Sequence, residues 1–301
     1  MSQNVEDRRG LSSGTKVAAG GGILAVIIGV VMSLMGGGSG STGGIDIGQV
    51  INAVTQGGGL GDILGGRQAD ATYEGETDPS QFTPEEQRLD TVCRIILAST
   101  EDVWKQVFKE NGLGTYTNPT LVLFTNSVNS ACGSATASVG PFYCSGDQKL
   151  YIDLSFFTEM KSQLGADGDF SYAYVIAHEV GHHVENLLGT LNQAHVQMNK
   201  VSQTEANKIS VRLELLADYY AGVWGHYENE TYRSLEAGDI EEAIDCAEKI
   251  GDNYLQKKAR GYVQPESFTH GTSAQRMKWL KRGLDTGDMN TTTFNIPENQ
   301  L

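Results

Sequence analysis

The segment AYVIAHEVGHHVENLL brings His178, Glu179 and His182 together in the pattern HExxH. On a helix, positions four apart share one face a turn from each other, so both imidazoles can reach one cation at the zinc–nitrogen distance of roughly 2.0–2.1 Å. Glu179 follows the first imidazole directly. From there it can take a proton from a water that the metal has acidified and later hand it to a leaving amine. That is the chemistry of peptide-bond hydrolysis, with Zn2+ as the expected cofactor. Tyr174, Val175, Ile176, Val184, Leu187 and Leu188 flank the motif, and no Lys or Arg interrupts it, as expected of a buried helix.

A structural zinc takes four protein ligands, whereas a hydrolytic one keeps three and an open position. A metzincin would find its third ligand in HExxHxxGxxH, but Glu185 and Leu188 stand at the last two positions. A thermolysin-like arrangement fits better. Further on, RLELLADYYAG sets Glu214 and Asp218 four apart in a Leu- and Ala-rich stretch of helical character, where unpaired carboxylates would be costly. The expected ligands are therefore His178, His182 and Glu214, with Asp218 accepting a hydrogen bond from a ligand imidazole and fixing its tautomer. Tyr219, Tyr220 and His226 sit on or just after the same helix as candidate donors to a tetrahedral oxyanion, and spacing does not rank them.

The elements that must hold these groups begin near TPEEQRLD, where Thr83, Pro84, Glu85 and Glu86 read as a helix N-cap, a proline at the first position and carboxylates in the first turn. That helix should run to about Asn111. LVLF (121–124) and KLYIDLSFF (149–157) read as strands of a small sheet, and the rest as mostly helical. The fold class is α+β, with the folded domain at 81–301.

Ahead of it, Val17 to Met35 is uncharged and about long enough to cross a bilayer as a helix. Arg8, Arg9 and Lys16 precede this run, and no Lys or Arg follows until Arg67, so residues 1–16 are expected to be cytoplasmic and the domain extracytoplasmic, on a single-pass anchor. A cleavable signal peptide is the rival, although MGGGSGSTGG offers no clear cleavage site. Residues 36–80, rich in Gly, Ser, Thr and Asp, read as a flexible tether. With 22 Lys and Arg against 37 Asp and Glu, the chain carries a formal charge of -15, which argues against nucleic acid as a partner. The partners expected are the membrane, through that one helix, and a peptide or protein substrate; the oligomeric state is not legible.

All four cysteines lie on the side expected to be exported, where thiols oxidise. Only a Gly-containing loop separates Cys132 from Cys144, which favours that disulfide and leaves Cys93 with Cys246.

IAHEVGHH, ELLADYYAG, CGSATASVGPFYC with KLYIDLSFF, and the IGDNYLQ region together resemble the bacterial neutral zinc metallopeptidase family over roughly residues 75–285. The resemblance implies a zincin-like domain, a small sheet over a pair of ligand-bearing helices, behind a transmembrane segment and a Gly-rich tether. Tyr219 stands where the family's ELxADC segment has a cysteine. SFTHGTSAQRMKWLKRG is similar to the late His-containing segment of the CAAX-type membrane peptidases, which implies a catalytic His270 donating to the oxyanion and an Arg276 anchoring ion pairs behind the zinc helix. The alternative from another class is an inactive protein of the same fold that binds an envelope partner. Glu179 argues against it, because a protein without catalysis has no chemical need for a base between its metal ligands.

Overall fold

In the computed structural model, which describes residues 1–10 and 78–301, Thr83 opens helix α1 (Pro84–Glu110) with a capping box. Its hydroxyl accepts from Glu86 N at 3.2 Å and the Glu86 carboxylate accepts from Thr83 N at 2.8 Å. Leu89, Cys93, Ile96, Leu97, Trp104 and Phe108 recur at helical spacing and turn one face of α1 into the core.

The strands are β1 (Val5–Asp7), β2 (Thr120–Phe124), β3 (Ser127–Ser130), β4 (Gly133–Thr136), β5 (Phe142–Cys144) and β6 (Lys149–Asp153). Four form a sheet in the order β1-β2-β6-β5, parallel except for β5, and β3 with β4 makes a separate hairpin. The expected strand 149–157 stops at Asp153. Its carboxylate accepts from Ser155 N at 3.0 Å and Asn126 N at 2.7 Å, turning the chain into helix α2 (Ser155–Glu159), so SFF is helical. Helices α3 (Asp169–Leu187), α4 (Thr190–Met198), α5 (Gln203–Tyr232), α6 (Asp239–Lys249), α7 (Asp252–Arg260) and α8 (Ser273–Thr286) follow, which makes the domain mostly helical.

Close backbone approach fixes how these helices cross. A Cβ added at Gly181, inside HEVGH, would lie 2.7 Å from the Ala217 carbonyl oxygen, so only glycine lets α3 lie this near α5. Gly222 of α5 and Gly283 of α8 each lie against the other helix's backbone in the same way. These contacts set the spacing of the three site-bearing helices.

Residues 1–10 add a strand to the sheet of the domain. β1 pairs with β2, Val5 opposite Leu121 and Asp7 opposite Leu123. Ser2 Oγ and Asn4 Nδ2 donate to Glu101 at 2.5 and 2.8 Å. Arg9 is buried; its Nε donates to Asp7 at 2.8 Å, its guanidinium lies 3.6 Å from Asp90, and it stacks 4.0 Å above the Phe82 ring. The arginines that read as a cytoplasmic flank are thus engaged with the domain: Arg9 in a buried ion pair and Arg8 with Glu6. The pairing of β1 with β2 joins residues 1–10, which fall within the expected segment 1–16, to the sheet of the domain. The expected span 17–35 lies outside the described residues, as does the expected tether up to residue 77. Among the described residues no helix is long and apolar enough to cross a membrane.

Cys132 and Cys144 form the expected disulfide. The expected pair of Cys93 with Cys246 is absent: both are free, buried thiols. Cys93 packs on the core face of α1, while the Cys246 thiol lies 3.6 Å from the Met160 sulfur. Burial pushes both thiols up to about 12, where they are inert.

Arg9→Ala would remove the buried ion pair with Asp7 and should cost about 3 kcal/mol or more in denaturant unfolding. Cysteines introduced at the exposed Gln3 and Lys105 should react with a membrane-impermeant maleimide from the same side of intact cells; labelling from opposite sides would show that β1 does not pair with β2 in the cell.

Candidate metal centre

α3 is buried through most of its length, and its face towards α5 carries His178 and His182. Each imidazole is held from behind by a carboxylate. His178 Nδ1 donates to Asp218 Oδ1 at 2.8 Å, and His182 Nδ1 donates to Glu185 Oε2 at 2.8 Å. This fixes both rings with Nε2 forward. The two Nε2 atoms lie 3.2 and 3.5 Å from the Glu214 carboxylate oxygens, and the ligand atoms of His178, His182 and Glu214 all fall within 4.8 Å of one another. Two imidazole nitrogens and one carboxylate oxygen, converging with their rear atoms already satisfied, are the donor set of a hydrolytic zinc site, so these residues fit the metal.

Asp218 is fully buried and accepts four hydrogen bonds. Tyr174 Oη donates to Oδ1 at 2.6 Å, beside His178; Arg276 donates to Oδ1 and Oδ2 at 2.9 and 2.8 Å. Burial alone would raise this carboxyl, but Arg276 and His178 outweigh it and hold it at about 2. Glu185, also fully buried, is pushed up to about 7 by burial despite His182, and its Oε1 finds no partner. Glu179 is buried at the cleft wall, and burial raises it although the two imidazoles pull it down. Burial opposes charge on both imidazoles, but Asp218 outweighs it at His178, and Glu214 with Glu185 at His182, so both are raised.

His270 reaches the same cleft from the loop ahead of α8, held by a carboxylate far from it in sequence. Asp252 Oδ2 accepts from the backbone N–H groups of Thr269, His270 and Gly271 at 2.8, 2.7 and 3.0 Å, and Oδ1 from His270 Nδ1 at 3.3 Å. Burial opposes protonation of His270, but Glu214 and Asp252 raise it to about 9. Its Nδ1 is taken by Asp252, which leaves Nε2–H as the free donor.

The structure therefore gathers His178, Glu179, His182, Glu214 and His270 around one cleft of about 450 Å³, with Asp218 and Arg276 behind the first imidazole. It does not bring Tyr219, Tyr220 or His226 there. Tyr219 Oη donates to the Asp288 carbonyl, Tyr220 packs edge-on to Trp104, and His226 Nδ1 donates to the Leu284 carbonyl at 2.8 Å. Sequence reasoning missed Glu185, Tyr174 and Asp252. The first was within reach, being one helical turn from His182; Tyr174 is likewise one turn before His178 but read only as apolar flank, and Asp252 is closed onto His270 by a loop whose path no local pattern reveals.

The model of the family "Putative neutral zinc metallopeptidase" matches residues 1–294. The chain belongs to that family. It is 42% identical over 287 residues, 95% of this chain and 93% of the relative, to "Uncharacterized protein YpfJ" of Escherichia coli (strain K12). It is 40% identical over 210 residues, 66% of this chain and 68% of the relative, to "Uncharacterized protein Rv2575" of Mycobacterium tuberculosis. No solved structure matches it. The family match includes residues 1–10, consistent with their place in the sheet.

Because the folded state raises His270 from 6.5 to about 9, the stability it contributes is complete below about pH 6.5 and lost as pH rises through about 9. In thermal unfolding of chelator-treated protein, wild type should therefore exceed His270→Ala most at about pH 6, with the gap closing by about pH 10.

Proposed function

We propose that this chain is a zinc-dependent peptidase in which His178, His182 and Glu214 hold the metal, Glu179 is the general base and His270 is an electrophilic donor. The observation that carries this reading is the convergence of both Nε2 atoms and the Glu214 carboxylate beside Glu179 in an open cleft. Zinc bound there supplies Lewis acidity, which polarises a peptide carbonyl and acidifies water. Glu179 takes the proton of the water that adds to the carbonyl carbon, then delivers it to the amide nitrogen as the C–N bond breaks. A raised carboxyl suits both duties better than a free glutamate. His270, clamped by Asp252, directs Nε2–H at the carbonyl oxygen as negative charge builds on it. Asp218 and Glu185 keep the two ligand rings from turning, and Arg276 neutralises Asp218.

We further propose an extracytoplasmic, membrane-associated enzyme. The apolar Val17 to Met35 stretch supports the association, and the Cys132–Cys144 disulfide supports an oxidising compartment, which residues 1–10 share with the domain.

Glu179→Gln should keep stoichiometric zinc and lower turnover of a peptide substrate by about 10²–10⁴. Glu214→Ala should lose zinc by elemental analysis, whereas His226→Ala should retain it. Unchanged turnover in Glu179→Gln, or full zinc in Glu214→Ala, would refute the assignment.

A further inference from the structure

The charge of the chain and the chemistry of its cleft do not match. Of the residues lining the cleft, the formally charged ones, Glu179, Glu214 and Arg276, lie on the metal side, and Arg276 is committed to Asp218. Away from them the lining is mostly apolar, with Ser138, Tyr143, Ser145 and Ser210 as its polar members, and its apolar side chains come from three separate elements. The loop closed by the Cys132–Cys144 disulfide supplies Val139, Pro141 and Phe142, α4 supplies Leu191 and Met198, and α5 supplies Leu213. His195 of α4 is its titratable neighbour, and burial lowers it, so it is uncharged near neutral pH.

This wall is built in advance of any substrate. Phe142 belongs to β5 and stacks on Tyr151 with centroids 4.8 Å apart, and Leu191 is buried on its helix. The Cys132–Cys144 disulfide ties the loop that it closes to β5 of the sheet. Val139 nevertheless remains 47% exposed at the cleft, an apolar side chain that a partner could cover. The cleft volume of about 450 Å³ lies in the range of roughly 300–1,000 Å³ typical of sites that bury a ligand, well beyond what a metal and a water fill.

We propose that this wall is the specificity subsite, taking a bulky apolar side chain of the leucine, methionine or phenylalanine kind next to the scissile bond. The substrate is then an extended or unfolded segment that presents such residues, not a basic segment drawn by the net charge of -15. A charged side chain entering this wall would lose water and find no opposite charge, and a small one would leave it unfilled. The inference rests on the peptidase reading for its scissile bond, but the subsite itself can be tested without turnover.

Full-length, zinc-loaded protein would be offered a randomised peptide library. Cleavage should be enriched for large apolar residues at one position beside the cut, with leucine over alanine by at least about tenfold in kcat/KM. Val139→Asp, at an exposed position, and Met198→Asp, at a half-buried one, should each reduce that preference about tenfold while leaving zinc content unchanged. In parallel, calorimetry on zinc-loaded Glu179→Gln would compare a leucine-containing peptide with its aspartate and lysine counterparts. Selective leucine binding that Met198→Asp abolishes supports the subsite, even if the wild type cuts nothing, a result that would sink the peptidase reading alone. Equal use of charged and apolar residues at every position, equal binding of the three peptides, or a preference unmoved by both aspartate variants would overturn the proposal.

Discussion

The site depends first on the buried carboxylate of Asp218. It ties His178 and Tyr174 of α3 to Arg276 of α8 while itself standing on α5, so three helices meet at one charged group. An ion pair removed from water is stable only when each lone pair and proton is used, and here both oxygens are. Removing either partner would strand a buried charge at a cost of about 3–5 kcal/mol. The same bonds that satisfy this charge set the tautomer and direction of the first ligand ring, so the stability of the helix crossing and the geometry of the site have one origin.

Such a knot can form only if the helices come close. Gly181 allows α3 against Ala217 of α5, and Gly222 with Gly283 allows α5 against α8. At an ordinary helix separation, Glu214 would stand too far from His178 and His182 for the three to share a cation, and Arg276 would not reach Asp218. The glycine inside HEVGH therefore has as much to do with the site as the histidines beside it.

The second imidazole is served differently. Glu185 lies on the same helix as His182, a local arrangement needing no tertiary contact, yet it is fully buried with one oxygen unpartnered. The distribution of charge follows a similar logic elsewhere. The acidic excess stays off the apolar wall of the cleft, while the basic residues near the N-terminus are drawn into the sheet edge, Arg9 buried and Arg8 paired with Glu6.

Features that depend on neighbours along the chain were legible before folding. HExxH on an apolar helix, Glu214 and Asp218 one turn apart, the Thr83 cap and the short Cys132–Cys144 loop are all set by helical period or loop length, and each reappears in the structure. Matters of distant approach were settled by the packed fold. It paired the three residues of β1 with β2 across more than a hundred positions, too short a strand for any pattern to announce. It closed Asp252 onto His270, and it kept Cys93 and Cys246 apart although both lie in the core. It also placed His226 outside a site to which its chain position alone would have admitted it. Periodicity records which face of an element is buried, whereas the partner it meets there is chosen by backbone approach and by the pairing of buried charge, neither of which a local window contains.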